Sequence, residues 1–222
     1  MAAVAVTLGA LCAGCPSVAR FNRATPIEKG QVEFTVAPAL AGPSDGFHVE
    51  TEGEPYVGSE GGINWFPSLD LEARYGFSDR VDGAVTLRNM GTTFGLDLKL
   101  ALARGRLGAI AFDPAVQVGL NGSYLGFEAP LLFDLRASRV VTLTLALQYT
   151  GLSVVGVGFE HLVGGTFGVE IIVTDFLRVQ PYVSVFVWLD PPDAAYTARY
   201  FSGGLAFKLP LGRKARARSA TP

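Results

Sequence analysis

The sequence predicts an all-β chain that closes on itself as an antiparallel, up-and-down transmembrane β-barrel of about ten strands, with 8–12 allowed by its segmentation. Three observations carry this reading. Hydrophobic residues make up 49% of the 222 positions and charged residues only 17%, against about 25% charged in ordinary soluble domains. No stretch of roughly 18 or more consecutive apolar residues occurs, so no spanning helix is expected. Apolar residues instead recur with period two, in segments close to the 9–11 residues, roughly, that a tilted membrane strand needs. Without a spanning helix, an apolar chain enters a bilayer only as a closed barrel, where strand pairing satisfies every backbone polar group.

The chain opens on an address. Residues 1–14 (MAAVAVTLGALCAG) are small and apolar, long enough for the core of a signal peptide and too short to span as a helix. Leu11-Cys12-Ala13-Gly14-Cys15 resembles the lipobox of bacterial lipoproteins, in which small residues precede a cysteine that becomes acylated. The resemblance implies lipidation of Cys15, with Cys12 standing where an aliphatic residue is usual. An ordinary signal peptide is the plainer alternative. Two or three acyl chains would hold the N-terminus more firmly than one. Cys12 and Cys15 are the only cysteines, so no disulfide framework is expected in the folded domain. Residues 15–29 are expected to form a short leader on the periplasmic side.

The barrel is expected over residues 30–211. Around 31–39, Val32, Phe34 and Val36 alternate with Glu33, Thr35 and Ala37. Over 63–77, Ile63, Trp65, Leu69, Leu71, Ala73 and Tyr75 oppose Asn64, Ser68, Asp70, Glu72 and Arg74; over 81–88, Val81, Val85 and Leu87 oppose Asp82, Thr86 and Arg88. The cleanest segment is 94–102, with Phe94, Leu96, Leu98, Leu100 and Leu102 on one face and Gly95, Asp97, Lys99 and Ala101 on the other. A helix would scatter those charges around its girth, whereas a strand keeps them together. Segments 108–119, 125–136, 139–149, 157–173, 177–189 and 199–211 repeat the pattern. In 177–189 it falters, because Phe186 and Trp188 fall on the polar side. Short turns near 78–80, 104–106, 136–139 and 174–175 alternate with longer links at 41–61, 89–93, 120–124, 150–156 and 190–197. Outer-membrane barrels show this alternation of short periplasmic turns and longer external loops. The loop 41–61 has room for a further hairpin. An even strand count places both chain ends on the periplasmic side.

Alternation alone does not say which face points inward. The apolar face is long and nearly unbroken, with His161 its main polar exception, and Trp65, Tyr75, Phe77, Tyr149 and Phe201 lie near segment ends as an interfacial girdle would. The apolar face is therefore assigned to lipid. On this parity the lumen carries the acids Glu33, Asp70, Glu72, Asp82, Asp97, Asp113, Glu128, Asp134, Glu160 and Glu170, and the bases Arg74, Arg88, Lys99, Arg136, Arg178 and Lys208. Buried charges cost several kcal/mol each, roughly, unless paired. Cross-strand pairs are expected, such as Asp97 or Asp70 with Arg88, and Glu33 with Lys208 where the barrel closes. A barrel of about eight strands is filled by its own side chains, while wide channels need about 16. A lumen plugged by ion pairs is thus expected, with a narrow cation-favouring path as the alternative.

The chain as a whole resembles the broad class of small bacterial outer-membrane proteins, which implies an integral barrel of the outer membrane serving as a structural or assembly component or a very narrow pore. Its expected partners are outer-membrane lipid and a protein met through loop 41–61 or the basic tail 212–222; a net charge of −2 gives no reason to expect nucleic acid. The loop holds Asp45, His48, Glu50, Glu52, Glu54 and Glu60 and is read as solvated. No cofactor is expected, and no paired-Cys or His-Glu-x-x-His zinc pattern is present. Glu160-His161 followed by Gly164-Gly165 resembles the motif of outer-membrane lipid A deacylases, which implies a lipid-facing His activating a Ser two residues later. That position is Val163 here, so the nucleophile is missing and no enzyme is expected. The rivals are a lipid-modifying enzyme of the outer membrane and a soluble periplasmic ligand-binding lipoprotein.

Overall fold

The computed structural model describes residues 19–43, 50–51, 54–55, 66–120, 122, 124–154, 158–189 and 199–212. Cys15, most of loop 41–61 and nearly all of the tail 212–222 lie outside the described residues. The strands are β1 (Val32–Pro43), β2 (Glu50–Thr51), β3 (Glu54–Pro55), β4 (Phe66–Gly76), β5 (Val81–Arg88), β6 (Thr93–Arg104), β7 (Gly108–Phe112), β8 (Ala115–Gly119), β9 (Tyr124–Arg136), β10 (Val141–Val154), β11 (Gly158–Thr174), β12 (Leu177–Trp188) and β13 (Arg199–Leu211). Every pairing is antiparallel between neighbours around a ring, and β1 pairs with β13 to close it. β7 and β8 together occupy one wall position between β6 and β9, which gives a closed barrel of ten wall strands. β2 and β3 pair only with each other, apart from the barrel.

Segment 108–119, expected as one strand, is broken at Asp113-Pro114. Proline has no N–H to give the ladder, and here its carbonyl accepts from Leu98 N at 3.1 Å while Asp113 N donates to Pro130 O at 3.1 Å. Inward and outward alternation continues across the break, so Asp113 stays fully buried. The link from β5 to β6 turns through Asn89, Met90 and Gly91, all with positive φ. At the other end the turns are tight: Phe77 and Ser78 both donate to Val81 O, and Ala137 and Ser138 to Val141 O.

Burial decides the question that alternation leaves open. Leu98 is 44% exposed and Leu102 60% on the outside, whereas Asp82 is 0% and Arg74 2% exposed on the inside. Along β6 the pattern strictly alternates from Thr93 to Leu100. The apolar side chains face away from the lumen and the ionic ones into it, the reverse of a soluble barrel. No spanning helix is needed: strands of this length cross a bilayer when tilted.

The interior has two levels. Toward the tight turns it is ionic. Toward the long links of β9–β13 it is apolar, where Ala41, Tyr124, Leu152, Leu162, Phe186 and Tyr200 form one buried cluster with Trp188 packed against it, while Asp70 and Arg88 are buried at that end of β4 and β5. Phe186 and Trp188 break the alternation of the last segment for this reason: they point inward at the end of β12, into an apolar layer rather than an ionic one.

Candidate functional site

Of the leader expected outside the barrel, on the periplasmic side, residues 19–27 run inside it. Ala19, Arg20, Phe21, Asn22, Ala24, Pro26 and Ile27 are buried, and Arg23 and Thr25 half-buried. The physical reason is charge and space. Among the described residues the wall buries nine carboxylates against Arg74, Arg88, Lys99 and Lys208, an excess of five acids that half-buried Arg178 and Glu160 leave unchanged. Inward alanines leave room in the lumen, Phe21 packing with Ala37 and Ala206, and Ala24 with Ala109, Ala111 and Ala146.

Arg20 is the centre of the arrangement. Its guanidinium lies 3.5 Å from Asp97 Oδ2 and 4.0 Å from Asp113 Oδ2 and contacts Glu128. Its backbone N–H donates to Thr166 Oγ1 at 3.2 Å. Asn22 Nδ2 donates to Asp113 at 3.2 Å and Arg23 to Glu170 at 3.2 Å. The N–H groups of Ala24 and Thr25 and the Thr25 hydroxyl all donate to Asp134, at 2.8, 2.8 and 2.7 Å, and Ile27 N donates to Asp82 at 2.9 Å. Burial alone would lower the Arg23 pKa, but Glu170, Glu33, Asp134 and Asp82 hold it above the usual arginine value, so it stays a cation. The chain leaves the lumen at Gly30, whose φ is +79° and whose N–H donates to Gly76 O at 2.8 Å.

The wall has its own network. Arg74 on β4 binds Glu72 at 3.0 Å, Asp82 at 2.5 Å, Asp97 at 2.8 Å and Asp113 at 3.7 Å. Lys99 adds a 3.2 Å contact to Asp82. Arg88 pairs with Glu128 at 2.8 Å, where Gln117 also donates at 2.9 Å. Lys208 lies 2.9 Å from Glu170, and Arg178 lies 3.2 Å from Glu33 and 3.9 Å from Glu170.

The expected partners are therefore corrected in detail. Lys208 meets Glu170 rather than Glu33, Glu33 meets Arg178, and Glu128 joins Asp70 and Asp97 among the carboxylates that act on Arg88. Inside a narrow cylinder long side chains reach across the lumen or skip a strand, so nearest neighbours along the wall are poor guides. Gly168 shows how such skipping is allowed. Having no side chain, it lets Gln180 on β12 reach Thr144 on β10 at 2.8 Å over the top of β11; a Cβ there would come within 2.5 Å of Gln180 Nε2.

Of the residues assigned to the lumen from sequence, Glu33, Asp70, Glu72, Arg74, Asp82, Arg88, Asp97, Lys99, Asp113, Glu128, Asp134, Glu170 and Lys208 are buried. Arg178 is half-buried near the tight-turn mouth and Glu160 half-buried at the long-link end of β11. Arg136 is a correction: it is the last residue of β9 and exposed, because the strand ends before the lumen can enclose it. With Arg104, Arg23, Thr25, Gly108, Asp134 and Thr142 it lines a small cavity at that mouth. Sequence reasoning missed Arg20 and Arg23, which lie before the first strand. The acid excess of the wall and its inward alanines were the signal that something cationic fills the lumen.

His161 faces outward, half-buried, and hydrogen-bonds through Nδ1 to the Tyr149 hydroxyl. Phe159 packs edge-on against the imidazole and Phe127 against Tyr149. This group lies on the outer wall, apart from the ionic lumen.

No family model and no curated protein matches this chain. Among solved structures it is similar in fold to an outer membrane channel from Pseudomonas putida F1, with 10% identity, a TM-score of 0.52, and coverage of 88% of this chain and 100% of that one. Weaker likenesses include the NanC porin, at 8% identity and TM-score 0.47 over 79% of this chain and 100% of the porin. The outer membrane protein OprG from Pseudomonas aeruginosa follows, at 12% identity and TM-score 0.36 over 85% and 99%. The first likeness is one of fold: a closed antiparallel barrel.

Proposed function

We propose that the protein is an integral barrel of a bacterial outer membrane whose lumen, in the state described, is closed by ion pairs and by its own N-terminal segment. It serves as a structural or assembly component of the envelope, or as a very narrow pore. The observation that carries this reading is Arg20, held among Asp97, Asp113 and Glu128 from three separate parts of the wall. The buried apolar cluster around Phe186 supports closure at the far end, and the exposed belt of Leu, Val and Phe suits a hydrocarbon surround. Two further readings belong with it. Cys15 is lipidated, and the protein is not an enzyme: the outward His161 has a tyrosine as its hydrogen-bond partner and Val163 where a serine nucleophile would stand.

Planar-bilayer recording of the purified full chain tests the closed lumen. No steady current is expected in potassium chloride, and sustained single-channel conductance would refute it. Radiolabelled palmitate incorporation that is lost in Cys15→Ser would support the anchor, and equal labelling of both proteins would reject it.

A further inference from the structure

We propose that residues 19–27 are a displaceable plug, and that the acidic seat beneath them is a conduction path for small monovalent cations, making this protein a gated cation channel. The inference rests on the closed-barrel reading above and adds to it an open state and a selectivity.

Four observations support it. First, the plug is no part of the wall. Among the described residues, its backbone groups from Ala19 to Ile27 bond to wall side chains, not to any strand's backbone. The ring of strands is closed by β1 and β13 without it. Second, the plug carries the charge the wall lacks. Arg20 and Arg23 offset two of the five excess acids; without them Asp97, Asp113, Glu128 and Glu170 lose a donor, and without Ala24 and Thr25 so does Asp134. Clustered carboxylates around a narrow path favour cations. Third, the side chains under the segment are mostly alanine (Ala37, Ala109, Ala111, Ala146, Ala206), with Tyr182 and Leu132 among them, so its departure leaves space in the lumen. Fourth, the plug is tethered by a turn at Gly30, in the left-handed region with nothing within 4 Å of the position a Cβ would take. The backbone of Ile27 and Glu28 lies close against Gly76, so displacement has to begin N-terminal to that contact.

The proposed channel has the apolar cluster around Phe186 as a second closure in series, since a hydrophobic constriction can gate by dewetting. The test therefore compares proteins in matched pairs. The full chain with Arg20→Glu and Arg23→Glu places carboxylates against carboxylates and expels the plug. A second variant lacks residues 19–27. Each is made with and without Phe186→Ala, and folding is checked by heat-dependent electrophoretic migration, as barrels in detergent allow. Currents are read in planar bilayers under a potassium chloride gradient.

The expected result is that at least one plug-loss protein passes severalfold more current than its matched parent, with a reversal potential displaced toward that of potassium. Folded plug-loss proteins that remain as silent as their parents, with Phe186→Ala included, would overturn the proposal. So would new current that reverses toward chloride or shows no preference. Steady current through the unaltered chain would instead refute the closed-barrel reading and leave the selectivity to be read directly from that current.

Discussion

The two ends of the lumen solve the same problem with opposite chemistry. Near the tight turns the inner surface is filled by Arg74, Asp82, Asp97, Lys99 and Asp113 and by the N-terminal segment that docks among them. Near the long links it is filled by Tyr124, Leu152, Leu162, Phe186 and Tyr200. Both ends exclude water, but the first depends on matched partners and the second on volume. A buried charge that loses its partner is left uncompensated, at a cost of several kcal/mol, roughly. A buried ring that is trimmed leaves a cavity its neighbours can partly fill. The ionic end is therefore specific and brittle, and the apolar end tolerant.

The largest effect expected from this contrast comes from Arg74→Met. It removes the guanidinium shared by Glu72, Asp82, Asp97 and Asp113, and about 3–5 kcal/mol of stability should go with it. Urea titration of the folded barrel in detergent micelles, read by electrophoretic migration, measures the change; a midpoint equal to that of the parent would show that the network is solvated after all. Next, Phe186→Ala should cost about 3 kcal/mol, the lower end for trimming a buried phenylalanine. A loss larger than that of Arg74→Met would reverse the comparison.

A smaller effect is expected from Asp134→Asn, which keeps the shape of the side chain but weakens its bonds to Ala24, Thr25 and the Thr25 hydroxyl. About 1.5–3 kcal/mol is the scale for hydrogen bonds to a charged group, and the loss should appear as protease access to the N-terminal segment rather than as unfolding of the wall. Cleavage near residues 19–27 with the barrel intact is the expected outcome. Protection equal to the parent's would mean that the segment is held by packing alone. The smallest effect is expected from Tyr149→Phe on the outer wall, about 0.5–1.5 kcal/mol for one hydrogen bond to His161. A change in barrel stability well beyond that range would give this aromatic group a structural weight greater than its single bond.

Much of this fold is legible in the residues alone. Period two with an apolar face unbroken from Phe94 to Leu102 admits only a strand, and ten such segments without a spanning helix admit only a closed wall. The lumen charges follow from the same parity: Asp82, Asp97, Lys99 and Asp113 point inward because their neighbours point out. The exceptions lie where parity meets an end. Arg136 and Glu160 keep the right face but sit too near a mouth to be enclosed.

Alternation belongs to the chain itself, since each residue's side of the sheet is fixed by its place in a strand. Partners and occupants do not. Arg88 finds Glu128 on a strand three wall positions further along the chain, and Arg20 finds three acids drawn from β6, β9 and the Asp113-Pro114 break, because closing the ring sets their distances. Pairing across a lumen depends on the cylinder's width and stagger, which no local pattern encodes. For the same reason only the closed barrel could decide that the segment before the first strand folds back into the space the wall encloses.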